Sequence, residues 1–279
     1  MISEVMGLPI NYESLGEGRP IIMVHGWSRS SRQMLGIMEP IFKPRRGWRR
    51  IYPDLPGHGR TPGRDWITDQ DKMLEVLLGF IDENIPGQRF VLAGESSGAY
   101  LARGVVYHKA AQLDGLLLTV PLIVAPDAER KLPAHTTLVR NPELAAELPP
   151  DEAESFNALA VVQSRRVVDL IKASAPTAED MGDPKFQAGI REDPKRYSFS
   201  FDVDALAAPF AAPALIVAGR QDAVVGYRQA WEILEKYPRG TFAVLDRAGH
   251  LLEFEQQELF NVLVSEWLDR VEEYAAASP

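Results

Sequence analysis

The strongest constraint on the fold is a regular alternation of short apolar segments with longer helical ones. The apolar segments are rich in Val, Ile and Leu and mostly run without polar interruption, which is typical of strands buried on both faces of a parallel sheet. This alternation predicts an α/β protein with a mostly parallel, doubly wound sheet and helices on both of its faces. The predicted strands are Pro20–His25, Ile51–Asp54, Phe90–Ala93, Gly115–Val120, Ala214–Ala218 and Phe242–Asp246.

The alternation breaks over residues 122–206, where the sequence is helical and punctuated by proline. We interpret this interval as a helical cap or lid inserted into a core domain, which then comprises residues 1–121 and 207–279. Near the start of the chain, glycine-marked turns that include Gly7 predict a β-hairpin at the sheet edge. The last helix is expected to begin after His250 and to pack an apolar stripe on the core.

Composition narrows the class of protein. Of 279 residues, 46% are hydrophobic and 25% are charged, as in ordinary globular proteins. The chain has no cysteine, which excludes disulfides, thiolate metal sites and cysteine nucleophiles. Its net charge of −9 argues against nucleic acid or an anionic membrane as a partner. Since the first residues lack the features of a signal peptide, we expect a cytoplasmic monomer or homodimer that acts on a small-molecule substrate.

A G-x-S-x-G motif occupies residues 94–98, directly after one predicted strand and before a helical segment. A strand-to-helix turn is the context in which this motif forms a nucleophile elbow. Ser96 would then occupy a sharp, strained turn, and Gly94 and Gly98 would lack side chains because the backbone is crowded there. The alternative is a flexible glycine loop between two elements. We predict that Ser96 is a nucleophile.

A serine hydroxyl needs an adjacent base, and that base needs an acid to orient it. Among the five histidines, His250 is best placed, because it closes the loop between a predicted strand and the last helix. Asp222 lies in the loop after another predicted strand. The order Ser96, Asp222, His250 is the nucleophile–acid–base order of one particular architecture. The alternatives are a hydrogen-bonded structural histidine and a solvated or helix-capping aspartate. An unperturbed histidine base would lose activity below about pH 6.

An oxyanion hole requires two backbone N–H groups directed at the carbonyl oxygen on which charge develops. One donor should be Ser97, the residue after the nucleophile, at the start of its helix. The other should be Trp27, in the loop after the first predicted parallel strand, where its indole would line the pocket. The alternative for Trp27 is an aromatic residue of the core.

Five motifs together resemble the α/β-hydrolase superfamily: HGW at 25–27, DLPGHG at 54–59, GESSG at 94–98, GRQD at 219–222 and AGH at 248–250. The resemblance implies the α/β-hydrolase fold, with the insertion standing where that superfamily carries its cap. It also implies roles for single residues: Ser96 as nucleophile, Asp222 as acid, His250 as base, and Trp27 and Ser97 as oxyanion donors.

Departures from the patterns of individual families narrow the reaction. A serine stands where epoxide hydrolases and haloalkane dehalogenases of this fold carry aspartate, which disfavours those activities. The HGGPG-type loop of proline iminopeptidases and the HG-x-GPG-like signature of carbon–carbon bond hydrolases are both absent. HGW resembles the cofactor-free haloperoxidase and perhydrolase branch, whose elbow is usually GHSMG. Glu95 replaces the histidine of that elbow, and we interpret it as a paired charge near the elbow rim.

The sequence therefore predicts a serine hydrolase that cleaves a carboxylic ester or related acyl bond through an acyl-enzyme at Ser96. This chemistry requires no metal and no organic cofactor. The alternatives are a carbon–carbon bond hydrolase or a perhydrolase of the same fold, and a non-catalytic protein that binds a ligand on this fold.

Overall fold

A computed structural model of the chain describes residues 1–175, 180 and 182–277. Its sheet strands are β1 (Ile2–Val5), β2 (Leu8–Leu15), β3 (Arg19–Val24), β4 (Trp48–Pro53), β5 (Phe90–Glu95), β6 (Leu113–Thr119), β7 (Ala214–Gly219) and β8 (Gly240–Leu245). They form one sheet in the spatial order β1-β2-β4-β3-β5-β6-β7-β8. The α/β class and the mostly parallel sheet predicted from the sequence are confirmed.

The sheet has an antiparallel part at one edge and a parallel part over the rest of its width. β1 and β2 form the predicted antiparallel hairpin at one edge, and β2 continues antiparallel to β4. From β4 to β8 every neighbouring pair is parallel. Each predicted parallel strand is present, and none of its ends is shifted by more than three residues. Every residue of β5, β6 and β7 is buried, which explains their nearly continuous apolar sequences.

Helices cover the sheet. They include α1 (Ser31–Phe42), α2 (Gln70–Asn84) and α3 (Ser97–Lys109) in the first half of the chain. α3 packs on β5 and β6, while α1 packs on β3 and β4. Amphipathic spacing explains the burial of α1 and α2, because their apolar side chains recur every three or four residues. Helix α3 is instead buried on all sides over residues 97–106.

The insertion predicted at residues 122–206 holds α4 (Pro142–Ala146), α5 (Pro150–Leu159), α6 (Arg165–Ser174) and α7 (Pro184–Arg191). α6 packs against α1 of the core. The exact bounds of a cap domain stay a prediction, and residues 176–179, 181 and 278–279 of the two predicted domains lie outside the described residues.

Arg103 of α3 ties both ends of the insertion to the core. Its guanidinium is 1% exposed, donates to the carbonyl oxygens of Leu122 and Ile123, and forms an ion pair with Asp204. Leu122 and Ile123 stand at the start of the predicted insertion and Asp204 stands near its end. One buried cation therefore fixes where the chain leaves the sheet and where it returns.

After β7 the chain forms α8 (Arg228–Glu232), α9 (Leu252–Glu255) and α10 (Gln257–Ala277). The single last helix predicted after His250 is thus two helices, since α9 ends at Glu255 before α10 begins. Phe260, Val264 and Trp267 lie on the buried face of α10, as their spacing predicts. Among the residues that the structure describes, no helix is long and apolar enough to span a membrane.

Candidate active site

The predicted functional residues meet at one edge of the sheet because they follow the carboxyl ends of four parallel strands. Trp27 lies in the loop after β3, Ser96 directly follows β5, Asp222 follows β7 and His250 follows β8. In a parallel sheet these ends lie side by side, and this is where ligands bind in open α/β sheets. Ser96 and His250, which are 154 positions apart in the sequence, are thereby brought within hydrogen-bond distance.

Ser96 has a backbone conformation that few non-glycine residues adopt, with φ 52° and ψ −116°. The turn changes the chain direction abruptly between β5 and α3. A Cβ atom on Gly94 would lie 2.5 Å from the carbonyl oxygen of Gly98, and one on Gly98 would overlap the carbonyl oxygen of Val24. The flanking glycines are therefore sterically required, and the turn is as sharp and strained as the motif predicts.

A hydrogen-bonded chain connects Ser96 to a buried acid. The Oγ atom of Ser96 lies 3.1 Å from Nε2 of His250, and Nδ1 of His250 lies 2.9 Å from Oδ2 of Asp222. Asp222 is fully buried, and its Oδ1 atom accepts the backbone N–H groups of Val224 and Val225 at 2.8 and 3.0 Å. With Nδ1–H donated to the carboxylate, Nε2 is free to accept the serine proton.

The electrostatic surroundings of His250 favour its protonated form. Burial alone would lower the pKa of this imidazole, but the carboxylate of Asp222, assisted by Glu95 and Glu253, outweighs burial and raises the pKa to about 9. The same charges would stabilise the imidazolium that forms when His250 takes a proton from Ser96. The base form of His250 therefore becomes more abundant as the pH rises toward 9, whereas the sequence alone predicts an ordinary histidine.

Glu255, which sequence analysis missed, holds the loop that carries His250. Its Oε2 atom accepts the backbone N–H of Gly249 at 2.8 Å. Val161 and Val162 lie in the segment that directly follows α5. Their backbone N–H groups donate to the Oε1 atom of Glu255 at 2.5 and 3.0 Å. One carboxylate thus connects the histidine loop to the insertion. Only its place shortly after His250 in the sequence could have suggested this role.

The two predicted oxyanion donors, Trp27 and Ser97, have backbone N–H groups that are free to bind an oxyanion. Ser97 is the first residue of α3, where a helix leaves its N–H groups without intrahelical acceptors. Within the described chain, neither this N–H nor that of Trp27 donates to a protein acceptor. The Trp27 ring packs edge-on against His58 and against Tyr197 of the insertion, at centroid distances of 4.8 and 5.1 Å.

His25 and His58 form a buried support beneath the Trp27 loop. Nε2 of His25 accepts the N–H of Leu55 at 3.0 Å, so Nδ1 carries the proton and donates to the carbonyl of Gly26 at 2.7 Å. Burial lowers the pKa of His25 to about 4 and that of His58 to about 3. Both imidazoles are therefore neutral at physiological pH and hold the loop in place.

A cavity of about 110 Å³ opens beside Ser96 and His250. Leu159 and Ile171 of the insertion form part of its wall, so the predicted cap segment does reach the site. Polar side chains form another part, and two of them are the buried carboxyls of Glu95 and Glu253.

The interpretation of Glu95 as a paired charge at the rim was wrong. Glu95 is the last residue of β5, is only 3% exposed, and has a carboxyl oxygen without a hydrogen-bond partner in the described structure. Gly26, which has no side chain, leaves the space that this oxygen occupies. Glu253 was missed altogether, because an acidic residue in the first turn of a helix is an ordinary feature of sequences.

Comparison with known proteins agrees with this architecture. Residues 21–262 match the model of the Alpha/beta hydrolase family. The chain belongs to this family. The hydrolase also resembles the solved structure of an alpha/beta superfamily hydrolase from Oenococcus oeni PSU-1, with 27% identity, a TM-score of 0.83, and coverage of 98% of this chain and 99% of that one.

Two curated relatives of the hydrolase carry different activities in their names. A pimeloyl-[acyl-carrier protein] methyl ester esterase of Legionella pneumophila (strain Corby) is 22% identical, over 93% of this chain and 99% of that protein. A 2-hydroxy-6-oxononadienedioate/2-hydroxy-6-oxononatrienedioate hydrolase of Pseudomonas putida is 24% identical, over 94% and 92%. The family establishes a hydrolase, and the relatives include both ester and carbon–carbon bond hydrolases.

Proposed function

We propose that this hydrolase cleaves a carboxylic ester through an acyl-enzyme on Ser96. The observation that carries the proposal is the continuous hydrogen-bonded chain from Ser96 through His250 to Asp222, beside the cavity that Ser96 and His250 line. A serine on a strained turn, held 3.1 Å from an oriented imidazole, is the arrangement that serine acyl transfer requires.

In the first half-reaction, Nε2 of His250 takes the proton of the Ser96 hydroxyl while Oγ attacks the ester carbonyl carbon. The backbone N–H groups of Trp27 and Ser97 donate to the oxyanion of the tetrahedral intermediate. The imidazolium then gives its proton to the leaving alcohol as the carbon–oxygen bond breaks. An acyl group remains on Ser96, and the alcohol departs.

In the second half-reaction, His250 takes a proton from water as the water oxygen attacks the acyl carbonyl. Collapse of the second tetrahedral intermediate returns the proton to Oγ of Ser96 and releases the carboxylic acid. Asp222 keeps its charge throughout, because its role is to orient the imidazole and stabilise the imidazolium. The net reaction is ester plus water giving acid plus alcohol.

Carbon–carbon bond hydrolysis is the second candidate, favoured by the Pseudomonas putida relative. The same serine, histidine and aspartate would serve, with a vinylogous diketone in place of the ester. The absence of an HG-x-GPG-like loop at His25–Ser28 weighs against it.

A direct test measures wild type and Ser96→Ala on phenyl esters from acetate to octanoate, together with one 2-hydroxy-6-oxo-dienoate. We expect the wild type to hydrolyse at least one ester, with kcat/KM well above that for the dienoate, and Ser96→Ala to lose this activity. Preference for the dienoate would support the second candidate. Hydrolysis that survives in Ser96→Ala would contradict the acyl-enzyme.

A further inference from the structure

Two glutamates beside the nucleophile keep carboxyl oxygens without partners. Glu95 is 3% exposed and Glu253 is 2% exposed, and both line the cavity next to Ser96. The Oε2 atom of each makes no hydrogen bond within the part of the chain that is described. Buried polar atoms are nearly always satisfied in native proteins, because an unpaired one costs free energy. Two such acceptors at one cavity therefore indicate a ligand that supplies donors.

The other two buried acids of the site, Glu255 and Asp222, have hydrogen-bond partners for both carboxyl oxygens. Glu255 accepts backbone N–H groups with both of its oxygens, and Asp222 accepts two backbone N–H groups with one oxygen and His250 with the other. Glu95 and Glu253 lack this full set of partners. The four carboxyls thus divide into two that hold the backbone and two whose Oε2 atoms have no partner in the described part of the chain.

The charge of the cavity lining favours a cation. Apart from His250, the cationic side chain in the described lining is Arg29, and no ion pair within 4.0 Å joins it to Glu95 or Glu253. Asp222 is already committed to the imidazole. The described lining therefore holds two buried carboxyls and one guanidinium that is in no ion pair with them, and a positively charged ligand would allow both carboxyls to ionise.

The size and the remaining walls of the cavity favour a ligand with a short chain. Its volume of about 110 Å³ is smaller than the roughly 150 Å³ of an engineered cavity that holds benzene. Leu159, Ile171 and Phe254 supply apolar surface. A few methylene groups can lie against these side chains while a polar end group reaches the carboxyls.

Resting on the proposed ester hydrolysis, we propose that the cavity is an acyl pocket for a short acyl chain ending in a protonated primary amine, bound between Glu95 and Glu253. An ammonium group has three N–H donors and no acceptor, which matches two carboxylate acceptors. Hydrogen bonds between charged groups are about twice as strong as neutral ones. The substrate class is an ester of a small ω-amino acid.

The test compares phenyl 3-aminopropanoate with phenyl butanoate and phenyl 3-hydroxypropanoate at pH 7.5. The three acyl groups have the same number of non-hydrogen atoms and differ in ending with an ammonium, a methyl or a hydroxyl group. We expect wild-type kcat/KM for the amino ester to exceed that for butanoate by roughly tenfold or more, since one charge-assisted hydrogen bond is worth about that factor. This comparison requires no variant.

Two isosteric variants test whether Glu95 and Glu253 cause the preference for the amino ester. We expect Glu95→Gln and Glu253→Gln each to lower the ratio of amino ester to butanoate kcat/KM about tenfold, whatever happens to the absolute rates. Glu258→Gln, which removes one exposed carboxylate from α10, is the matched control and should keep the wild-type ratio. Active-site titration with a fluorophosphonate corrects each rate for the fraction of competent protein.

Failure of the inference differs from failure of the proposed function. If Ser96-dependent hydrolysis of butanoate equals or exceeds that of the amino ester, the ammonium pocket is wrong and the esterase stands. If the hydroxy ester is preferred, or both variants keep the wild-type ratio, the ammonium pocket is also wrong. If no ester of any kind is hydrolysed, both proposals fall.

Discussion

The Nδ1 atom of His250 lies 2.9 Å from Oδ2 of Asp222, while the other oxygen of Asp222 accepts two backbone N–H groups. The carboxylate is thus fixed by the loop after β7 and in turn fixes an imidazole from the loop after β8. Its full burial strengthens the interaction, since no water competes for the oxygens. The orientation of the base is therefore built into the backbone.

Asp222→Asn tests this orientation. We expect kcat for ester hydrolysis to fall by about 10³- to 10⁴-fold, because an amide can hold the wrong tautomer of His250. The matched control is Asp246→Asn, an exposed acid at the end of β8 whose side chain accepts from Gln221. Asp246→Asn should retain activity within about twofold of wild type, because Asp222 and not Asp246 orients His250. Equal losses in both variants would contradict the assignment of the acid.

Gly98→Ala tests the crowding at the elbow. The new methyl group would overlap the backbone carbonyl of Val24, so we expect a loss of unfolding free energy of about 3 kcal/mol or more, with loss of activity. Gly189→Ala is the control: its Cβ would meet no atom within 4 Å in helix α7, and alanine there should stabilise by ~0.5–1 kcal/mol. Urea denaturation measures both variants, and a tolerated Gly98→Ala would show that the elbow is looser than described.

Arg103→Met tests the anchor of the insertion. We expect a loss of about 3 kcal/mol, because the change removes the ion pair with Asp204 and leaves the carbonyls of Leu122 and Ile123 without their donor. Lys109→Met in the same helix removes an ion pair with an exposed carboxylate, Asp82, and should cost less than ~1 kcal/mol. Chemical denaturation measures the free energy of unfolding of both variants. Similar losses in the two would contradict the role of Arg103 as the anchor of the insertion.

Glu253→Gln tests how the buried carboxyl of Glu253 makes the stability of the fold depend on pH. Burial, together with the charge of Glu95, raises the pKa of Glu253 from 4.5 to about 8. The folded protein therefore binds this proton more tightly than the unfolded chain does. The stability that the proton contributes is complete below about pH 4.5 and is lost as the pH rises through about 8, by at most ~1.4 kcal/mol per pH unit.

A neutral glutamine lacks this dependence. We expect the melting temperature of Glu253→Gln, relative to that of wild type, to increase as the pH rises from 5 to 9. The same difference for Glu258→Gln should not change with pH in this way. A difference between Glu253→Gln and wild type that is the same at pH 5 and pH 9 would contradict the raised pKa.

Sequence reasoning located the parts of the site that depend on position along the chain. Ser96, Asp222 and His250 each follow an apolar strand, and the ends of parallel strands meet at one edge of a sheet, so their approach follows from strand order. Trp27 and Ser97 could be placed for the same reason. Strands β5, β6 and β7 could be predicted equally well, because full burial gives them nearly uninterrupted apolar sequences.

The parts that depend on packing between distant segments could not be located. Glu95 occupies space left by Gly26, and Glu253 enters the cavity from α9, and neither contact has a sequence signal. Their charges account in part for the pKa of about 9 at His250, where the sequence alone suggests loss of activity below about pH 6. Glu255 and Arg103 likewise act through contacts with residues that are distant in the sequence.

The most direct test of the central claim is covalent labelling of folded protein with a fluorophosphonate, followed by mass spectrometry of the modified peptide. The account predicts one adduct, on Ser96, absent in Ser96→Ala. The labelling rate should rise as the pH rises toward 9, since the neutral form of His250 is the base. No adduct on Ser96 at pH 9 in folded protein would contradict an activated serine and would favour a ligand-binding protein on this fold.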